Sequence, residues 1–402
     1  MNERVVNERV VNERVVNERV VNERVVLAPW LTCSDPWATA RARGIQSELD
    51  GYETIGFAPR RRGYLAKAGD IEMVESGRLS DALDASSALV IPGGTLALDG
   101  APSSPMTALT VAALARGKLV AAAGIGLSSG RGARVVARLL TGMSDLLFVR
   151  SEVAARTLVR AGARPPVRVG ADPLWLSLAG KLAGFRSTEA IGARSDGTEH
   201  LGHVSSWRAS DKLLVAGHLA DPMLVGPFAS AVAQLAKVGL RAMVQTGPGD
   251  DRTDSNRSGV LLASAIAERA VGTEVLEGPL TADHALEQSA SARLVVAMDW
   301  PSVCVAAAIG TPLLAVTDDP EVAALAALLG QTAVTPHAGE RAVVRAAATA
   351  LDGEGPEPGA LAGQLRSARG GVGMLRMLLD RGRGREMPPL GSLTLHPEPW
   401  AS

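Results

Sequence analysis

The segment KLVAAAGIGLSSGRGARVVARLLTGMSDLLFVR, residues 118–150, contains two short aliphatic runs separated by a longer stretch with helical spacing. The runs predict strands at Lys118–Ala123 and Leu146–Arg150, and the stretch between them predicts a helix at Gly132–Thr141. Two strands joined by a helix form a βαβ unit, in which the strands lie parallel in one sheet. The segment therefore predicts an α/β fold built on a parallel sheet.

The same alternation continues on both sides of this unit, and 402 residues are enough for two domains. Further strands are predicted at Thr54–Phe57, Ala88–Pro92, Val167–Val169, Leu213–Gly217, Arg241–Gln245, Glu274–Leu276, Leu294–Met298 and Leu313–Val316. Further helices are predicted near Asp35–Leu49, Ser103–Arg116, Ser151–Ala161, Met223–Lys237, Gly259–Ala270, Pro320–Leu329, Arg341–Leu351 and Gly373–Asp380. The pattern predicts two Rossmann-like, doubly wound domains at 27–186 and 213–352, a polar linker at 187–212, and a C-terminal helix and tail at 353–402.

The N-terminus carries five tandem copies of Asn-Glu-Arg-Val-Val at residues 2–26. A period of five spreads the valine pairs around a helix and moves them between the two faces of a strand at each copy. No constant apolar face results. We therefore predict that residues 1–26 lie outside the fold.

Composition excludes several classes of protein. Lys+Arg 41 against Asp+Glu 42 gives no basic field for nucleic acid, and Trp 6, Tyr 2 and Phe 4 are too few for base-stacking platforms. No uninterrupted apolar run is long enough for a transmembrane segment. Two cysteines fit a reducing compartment, so the expected location is cytoplasmic. His200 and His203 lie where no helix is predicted, so we expect no metal site. We also expect no cofactor.

Loops that follow predicted strands hold the candidate binding residues, because ligands of open α/β sheets bind beyond the carboxyl ends of the strands. Gly93 and Gly94 would let backbone N–H groups approach an anion or a sugar, or would simply form a tight turn. Arg131 begins a predicted helix, where it would hold an anion or lie on a solvated face. Arg150 and Asp172 end two further strands and are expected to face the cleft.

In the second domain, His218 follows the first predicted strand. A histidine at this position could serve as a general acid, although a structural or solvated role is the alternative. No other general acid is nominated by the sequence.

Taken in order, these loops resemble the polysaccharide pyruvyl transferase family over roughly residues 88–330. In the first domain the similar segments are Gly93-Gly94-Thr95-Leu96 with Asp99, Gly124-Ile125-Gly126 with Arg131 or Arg134, Val149-Arg150-Ser151 and Ala171-Asp172-Pro173. In the second domain they are Val295-Val296-Ala297-Met298, Ala306–Pro312 and Asp319-Pro320-Glu321-Val322. The resemblance implies a GT-B-like arrangement of the two domains and transfer of a pyruvyl group from phosphoenolpyruvate to a cell-envelope saccharide. It also implies that Gly93, Gly94, Thr95, Asp99, Arg131, Arg150 and Asp172 bind donor or acceptor.

The chain departs from the family at Asp299-Trp300-Pro301, where the family has Arg-Leu-His. Asp299 and Pro301 thus replace two groups expected to be cationic, and a carboxylate would repel an anionic donor. Two alternatives therefore stand beside pyruvyl transfer. One is a non-catalytic saccharide-binding or scaffolding protein of the same fold, and the other is a nucleotide-sugar glycosyltransferase.

Overall fold

Two parallel sheets organise the chain in the computed structural model. The structure describes residues 24–28, 36–57, 72–74, 78–96, 104–127, 141–163, 167–189, 210–219, 221–245, 254–276 and 281–382. All pairings between described strands are parallel.

The first sheet belongs to the N-terminal domain. Its strands are β1 (Arg24–Leu27), β2 (Glu53–Phe57), β3 (Glu72–Val74), β4 (Ser86–Ile91), β5 (Gly94–Leu96), β6 (Leu119–Leu127), β7 (Leu146–Val149) and β8 (Arg168–Val169). The helices are α1 (Pro36–Gln46), α2 (Leu79–Asp84), α3 (Ser104–Ala115), α4 (Glu152–Arg160) and α5 (Leu174–Glu189). The strand order is β3-β2-β1-β4-β6-β7-β8, and β5 pairs with β6 beyond the end of β4.

The second sheet repeats this topology. Its strands are β9 (Lys212–Ala216), β10 (Arg241–Gln245), β11 (Glu274–Leu276), β12 (Leu294–Ala297), β13 (Leu313–Val316) and β14 (Thr332–Val334). The helices are α6 (Val225–Lys237), α7 (Asp254–Arg269), α8 (Ala282–Ser291), α9 (Trp300–Ile309), α10 (Pro320–Leu328), α11 (Glu340–Asp352) and α12 (Pro358–Gly382). The order β11-β10-β9-β12-β13-β14 reverses between β9 and β12, as the first sheet reverses between β1 and β4. The predicted pair of doubly wound domains is confirmed.

The prediction that residues 1–26 lie outside the fold is wrong for the last copy of the repeat. Arg24, Val25 and Val26 form most of β1, which lies between β2 and β4. Val25 and Val26 are both buried and belong to apolar clusters on opposite faces of the sheet. A parallel sheet covered on both faces accepts consecutive valines, so one copy suffices for a strand and the period of five does not matter.

Three helices of ten or more residues, α5, α8 and α9, were not predicted, and α12 begins earlier than expected. All residues of α9 except Pro301 are buried, so this helix has no polar face to give it a period. The helix α5 was likewise missed, and α12 starts at Pro358 instead of near Gly373. The helix predicted at Gly132–Thr141 lies outside the described residues apart from Thr141.

The C-terminal helix α12 returns to the first domain. It packs against α5, β6 and β7, and Tyr52 donates a hydrogen bond to Asp380 over 2.9 Å. Gly371 lies against Phe148, where a Cβ atom would come within 2.7 Å of the ring. Among the described residues, no helix combines the length and apolar character needed to cross a bilayer.

Candidate functional site

The carboxyl ends of the two sheets face each other across the domain boundary. In the first domain, Leu127 ends β6 and Arg150 follows β7; in the second, Trp300 follows β12 and Glu321 follows β13. The Glu321 side chain contacts the Leu127 backbone N–H and the Arg150 side chain, and Arg150 stacks on Trp300. The candidate site is therefore the cleft between the two sheets, next to both points where the strand order reverses.

Glu321 joins the domains. Its carboxylate accepts hydrogen bonds from three groups of the first domain: the Leu127 N–H at 2.6 Å, Arg150 Nε at 2.8 Å and Ser151 Oγ at 3.1 Å. The Glu321 side chain is fully buried. Sequence reasoning interpreted Glu321 as part of a family segment that it makes more acidic, because nothing local shows that its partners lie in the other domain.

Arg150 follows β7 and is fully buried at the domain boundary. Its guanidinium rests against Gly126, where a Cβ atom would come within 2.1 Å of Cζ, and it stacks over the Trp300 ring at 4.1 Å. Besides Glu321, its Nη1 lies 3.9 Å from an Asp172 oxygen. Arg150 is thus held by carboxylates and an aromatic ring in this structure.

Asp172 is also buried, and its main partner is Arg41, a residue that the sequence did not single out. Arg41 Nε lies 2.9 Å from Oδ1 and 3.0 Å from Oδ2 of Asp172, and the Leu174 N–H donates to Oδ1. Two arginines and two carboxylates therefore form one buried, charge-balanced group at the domain boundary. We call Arg41, Arg150, Asp172 and Glu321 the interdomain ion cluster.

Gly93 and Gly94 follow β4 and border the ion cluster. Their φ angles are +76° and +108°, so the turn requires glycine whether or not a ligand binds there. A Cβ atom on Gly93 would lie 3.1 Å from Arg41 Cδ, and one on Gly94 would lie 4.0 Å from Arg41 Nη1. The structure thus brings the predicted glycines together with Asp172 through Arg41.

The predicted binding residues of the first domain also include Thr95, Asp99 and Arg131. Thr95 lies in β5, but its side chain is outside the described part of the structure. Asp99 and Arg131 are outside the described residues.

Asp299 and Pro301 start a helix. Asp299 is the N-cap of α9 and accepts a hydrogen bond from the Ser302 N–H at 2.9 Å, and Pro301 lies in the first turn. Aspartate at an N-cap and proline in the first turn are both favoured there. Asp299 and Pro301 therefore have a structural role at the start of α9. The comparison with the family's sequence did not reveal this role.

His218, the candidate general acid, is exposed after β9. The preceding Gly217 has a φ of +107°, and a Cβ atom there would lie 3.2 Å from Asp299 Oδ2. The loop with His218 therefore neighbours the start of α9. Among the described residues, no three His, Cys, Asp or Glu side chains are grouped so that they could hold a metal ion.

Cys304 lies beneath the cluster on α9. Burial raises the pKa of its thiol well above the ordinary value, and the Asp172 carboxylate raises it further, while Arg41 and Arg150 lower it only in part. The raised pKa favours the neutral thiol in the folded protein. Cys304 belongs to the apolar core.

We expect Cys304 to resist thiol reagents in the native state. In a Cys33→Ser variant, dithionitrobenzoate should release no thionitrobenzoate at neutral pH until denaturant is added. Because the unfolded thiol ionises above about pH 8.5, the stability linked to Cys304 is full below that pH and is lost as the pH rises through the raised folded value. Rapid labelling of the native variant would contradict the buried position.

Two doubly wound parallel domains with facing carboxyl edges and a C-terminal helix returning to the first domain define a GT-B-like fold. Solved structures share it. They include UDP-GlcNAc 2-epimerase from Neisseria meningitidis bound to UDP-GlcNAc (TM-score 0.55, 12% identity, 90% of this chain and 99% of that chain covered). MnaA from S. aureus with UDP has a TM-score of 0.57 and 12% identity, with 89% of this chain and 97% of that chain covered. HepE from Anabaena with UDP and glucose has a TM-score of 0.54 and 10% identity, with 90% of this chain and 98% of that chain covered. No protein-family model and no curated protein matches the sequence.

Proposed function

We propose that this protein binds a nucleotide sugar in the interdomain cleft and acts as an enzyme on its sugar part. The observation that carries the proposal is the shared architecture. Structures that match about nine-tenths of this chain contain UDP, UDP with glucose, or UDP-GlcNAc. Since fold alone does not determine function, the charges of the cleft are the second support.

The interdomain ion cluster favours a nucleotide sugar over phosphoenolpyruvate. Phosphoenolpyruvate offers a protein little besides a phosphate and a carboxylate, so its binding depends on cations. Arg41 and Arg150 already face Asp172 and Glu321, so the interdomain ion cluster has no surplus of positive charge. A nucleotide sugar also presents a base, a ribose and a hexose, which neutral hydrogen-bonding groups can recognise.

Gly94 offers a way to test this site with a matched control. Gly94 and Gly117 both have positive φ, and neither would place a Cβ atom closer than 4.0 Å to a neighbour. Alanine should cost each about 1–2 kcal/mol of stability. Only Gly94→Ala adds a methyl group beside Arg41 at the carboxyl end of the sheet.

We expect calorimetric titration of the wild-type protein with UDP-GlcNAc or UDP to give a Kd below about 1 mM, equivalent to roughly −4 kcal/mol, and phosphoenolpyruvate to give no heat of binding. Gly94→Ala should weaken nucleotide binding at least tenfold, and Gly117→Ala should leave it unchanged. Binding of phosphoenolpyruvate without UDP binding would favour pyruvyl transfer. Binding of neither would favour the non-catalytic alternative.

A further inference from the structure

The carboxylate oxygens of Glu321 accept hydrogen bonds from a set of donors that all belong to the first domain. The Leu127 N–H ends β6, Arg150 follows β7, and Ser151 is the N-cap of α4. Ser151 Oγ accepts from the Ala154 N–H at 3.0 Å, so its own hydrogen is available for Glu321. A backbone N–H, a hydroxyl and a guanidinium converging on one carboxylate have the composition of an anion-binding site.

The Glu321 side chain does not cap its own helix, α10. The cap of α10 is Asp319, whose carboxylate accepts a hydrogen bond from the Glu321 N–H at 2.8 Å. The Glu321 side chain instead reaches across the domain boundary and accepts hydrogen bonds from the Leu127 N–H, Arg150 Nε and Ser151 Oγ, all in the first domain. Its position therefore depends on how closely the two domains approach.

We propose that Leu127, Arg150 and Ser151 form a subsite for one phosphate or carboxylate group of a ligand, and that Glu321 fills this subsite when the domains close. Domain separation withdraws Glu321 and exposes the donors. The ligand anion and the Glu321 carboxylate then exclude each other, so Glu321 lowers the apparent affinity for anions. Two-domain proteins of this kind commonly open and close around a cleft. Only the open molecules bind the ligand, so the apparent affinity falls as the fraction of molecules that Glu321 keeps closed rises.

The direction in which one substitution changes the affinity for anions distinguishes this proposal from a purely structural ion pair. In Glu321→Gln, the amide has a single acceptor oxygen for three donors, and its NH₂ group faces Arg150 or the Leu127 N–H. If Glu321 competes with a ligand, the variant binds anions more tightly. If Glu321 only supports the shape of the cleft, the variant binds them equally well or less well.

The probes are inorganic phosphate and acetate, titrated into the full-length chain and followed by calorimetry. We expect Glu321→Gln to bind one of them at least tenfold more tightly than the wild type. The probe that gains identifies the chemistry as phosphate or carboxylate. The control is Glu268→Gln, which changes the net charge equally at a side chain that is 74% exposed on α7. It should show no gain.

A second variant tests whether the gain arises at the named donors. Adding Arg150→Gln to Glu321→Gln should abolish the gain, since the guanidinium is then missing. Glu321→Asp serves if the glutamine variant does not fold, because it keeps the charge but is one methylene too short to contact all three donors, and an intermediate gain is expected. Unchanged or weaker binding of both anions by the folded variants would overturn the proposal. The probes contain no nucleotide, so this result is independent of UDP-sugar binding.

Discussion

Val26→Asp is expected to abolish folding of the first domain. Val26 is fully buried in β1, whose neighbours on both sides are strands of the same sheet. A carboxylate there would lose its hydration without gaining a partner, at a cost of several kcal/mol. Since a domain is stable by only about 5–15 kcal/mol, thermal unfolding followed by circular dichroism should show the cooperative transition lost or strongly lowered.

The repeat provides an internal control for this prediction. Val21 occupies the same position in the fourth copy, preceded by the same Asn-Glu-Arg-Val sequence. Val21→Asp should leave the melting temperature near that of the wild type, because the strand in the sheet is formed by the fifth copy. Equal destabilisation by the two substitutions would show that β1 does not depend on the fifth copy alone.

Gly126→Ala should cause the second large loss, through the interdomain ion cluster. The new methyl group would occupy the place of the Arg150 guanidinium, since an ideal Cβ atom falls 2.1 Å from its Cζ. Arg150 must then leave Glu321, and breaking a buried ion pair costs about 3–5 kcal/mol. Chemical denaturation should show this loss. Gly226→Ala, where the Cβ atom meets nothing within 4 Å on α6, should be neutral or slightly stabilising.

A double-mutant cycle tests the mechanism of that loss. In an Arg150→Ala background, Gly126→Ala no longer displaces a guanidinium, so it should cost far less than in the wild type. Additive costs for the two substitutions would mean that Gly126 acts on the strand itself and not through Arg150.

The fold could be predicted from sequence to the extent that apolar runs reveal strands. The runs at Arg241–Gln245, Glu274–Leu276 and Leu313–Val316 coincide with β10, β11 and β13. The prediction failed where the usual signal is absent or misleading. The helix α9 is buried on all sides and has no amphipathic period, and β1 was hidden within a repeat whose period fits no regular element.

The candidate site was only partly predictable, because its partners come from distant parts of the chain. Arg150 and Asp172 were found since they end predicted strands. Arg41 is separated from Asp172 by 131 positions and Glu321 from Arg150 by 171, so no local pattern joins them. The sequence shows which residues are charged, but it does not show which residue of opposite charge each one pairs with.

Photo-cross-linking with an azido-uracil analogue of UDP-glucose tests most directly whether the interdomain cleft binds a nucleotide sugar. After irradiation and proteolysis, mass spectrometry should find the label on peptides from the carboxyl edges of the sheets, such as those containing Gly93–Gly94 or Gly217–His218. Excess UDP should suppress it. Labelling confined to remote surfaces such as α7, or labelling that UDP does not reduce, would contradict a nucleotide-sugar site in the cleft.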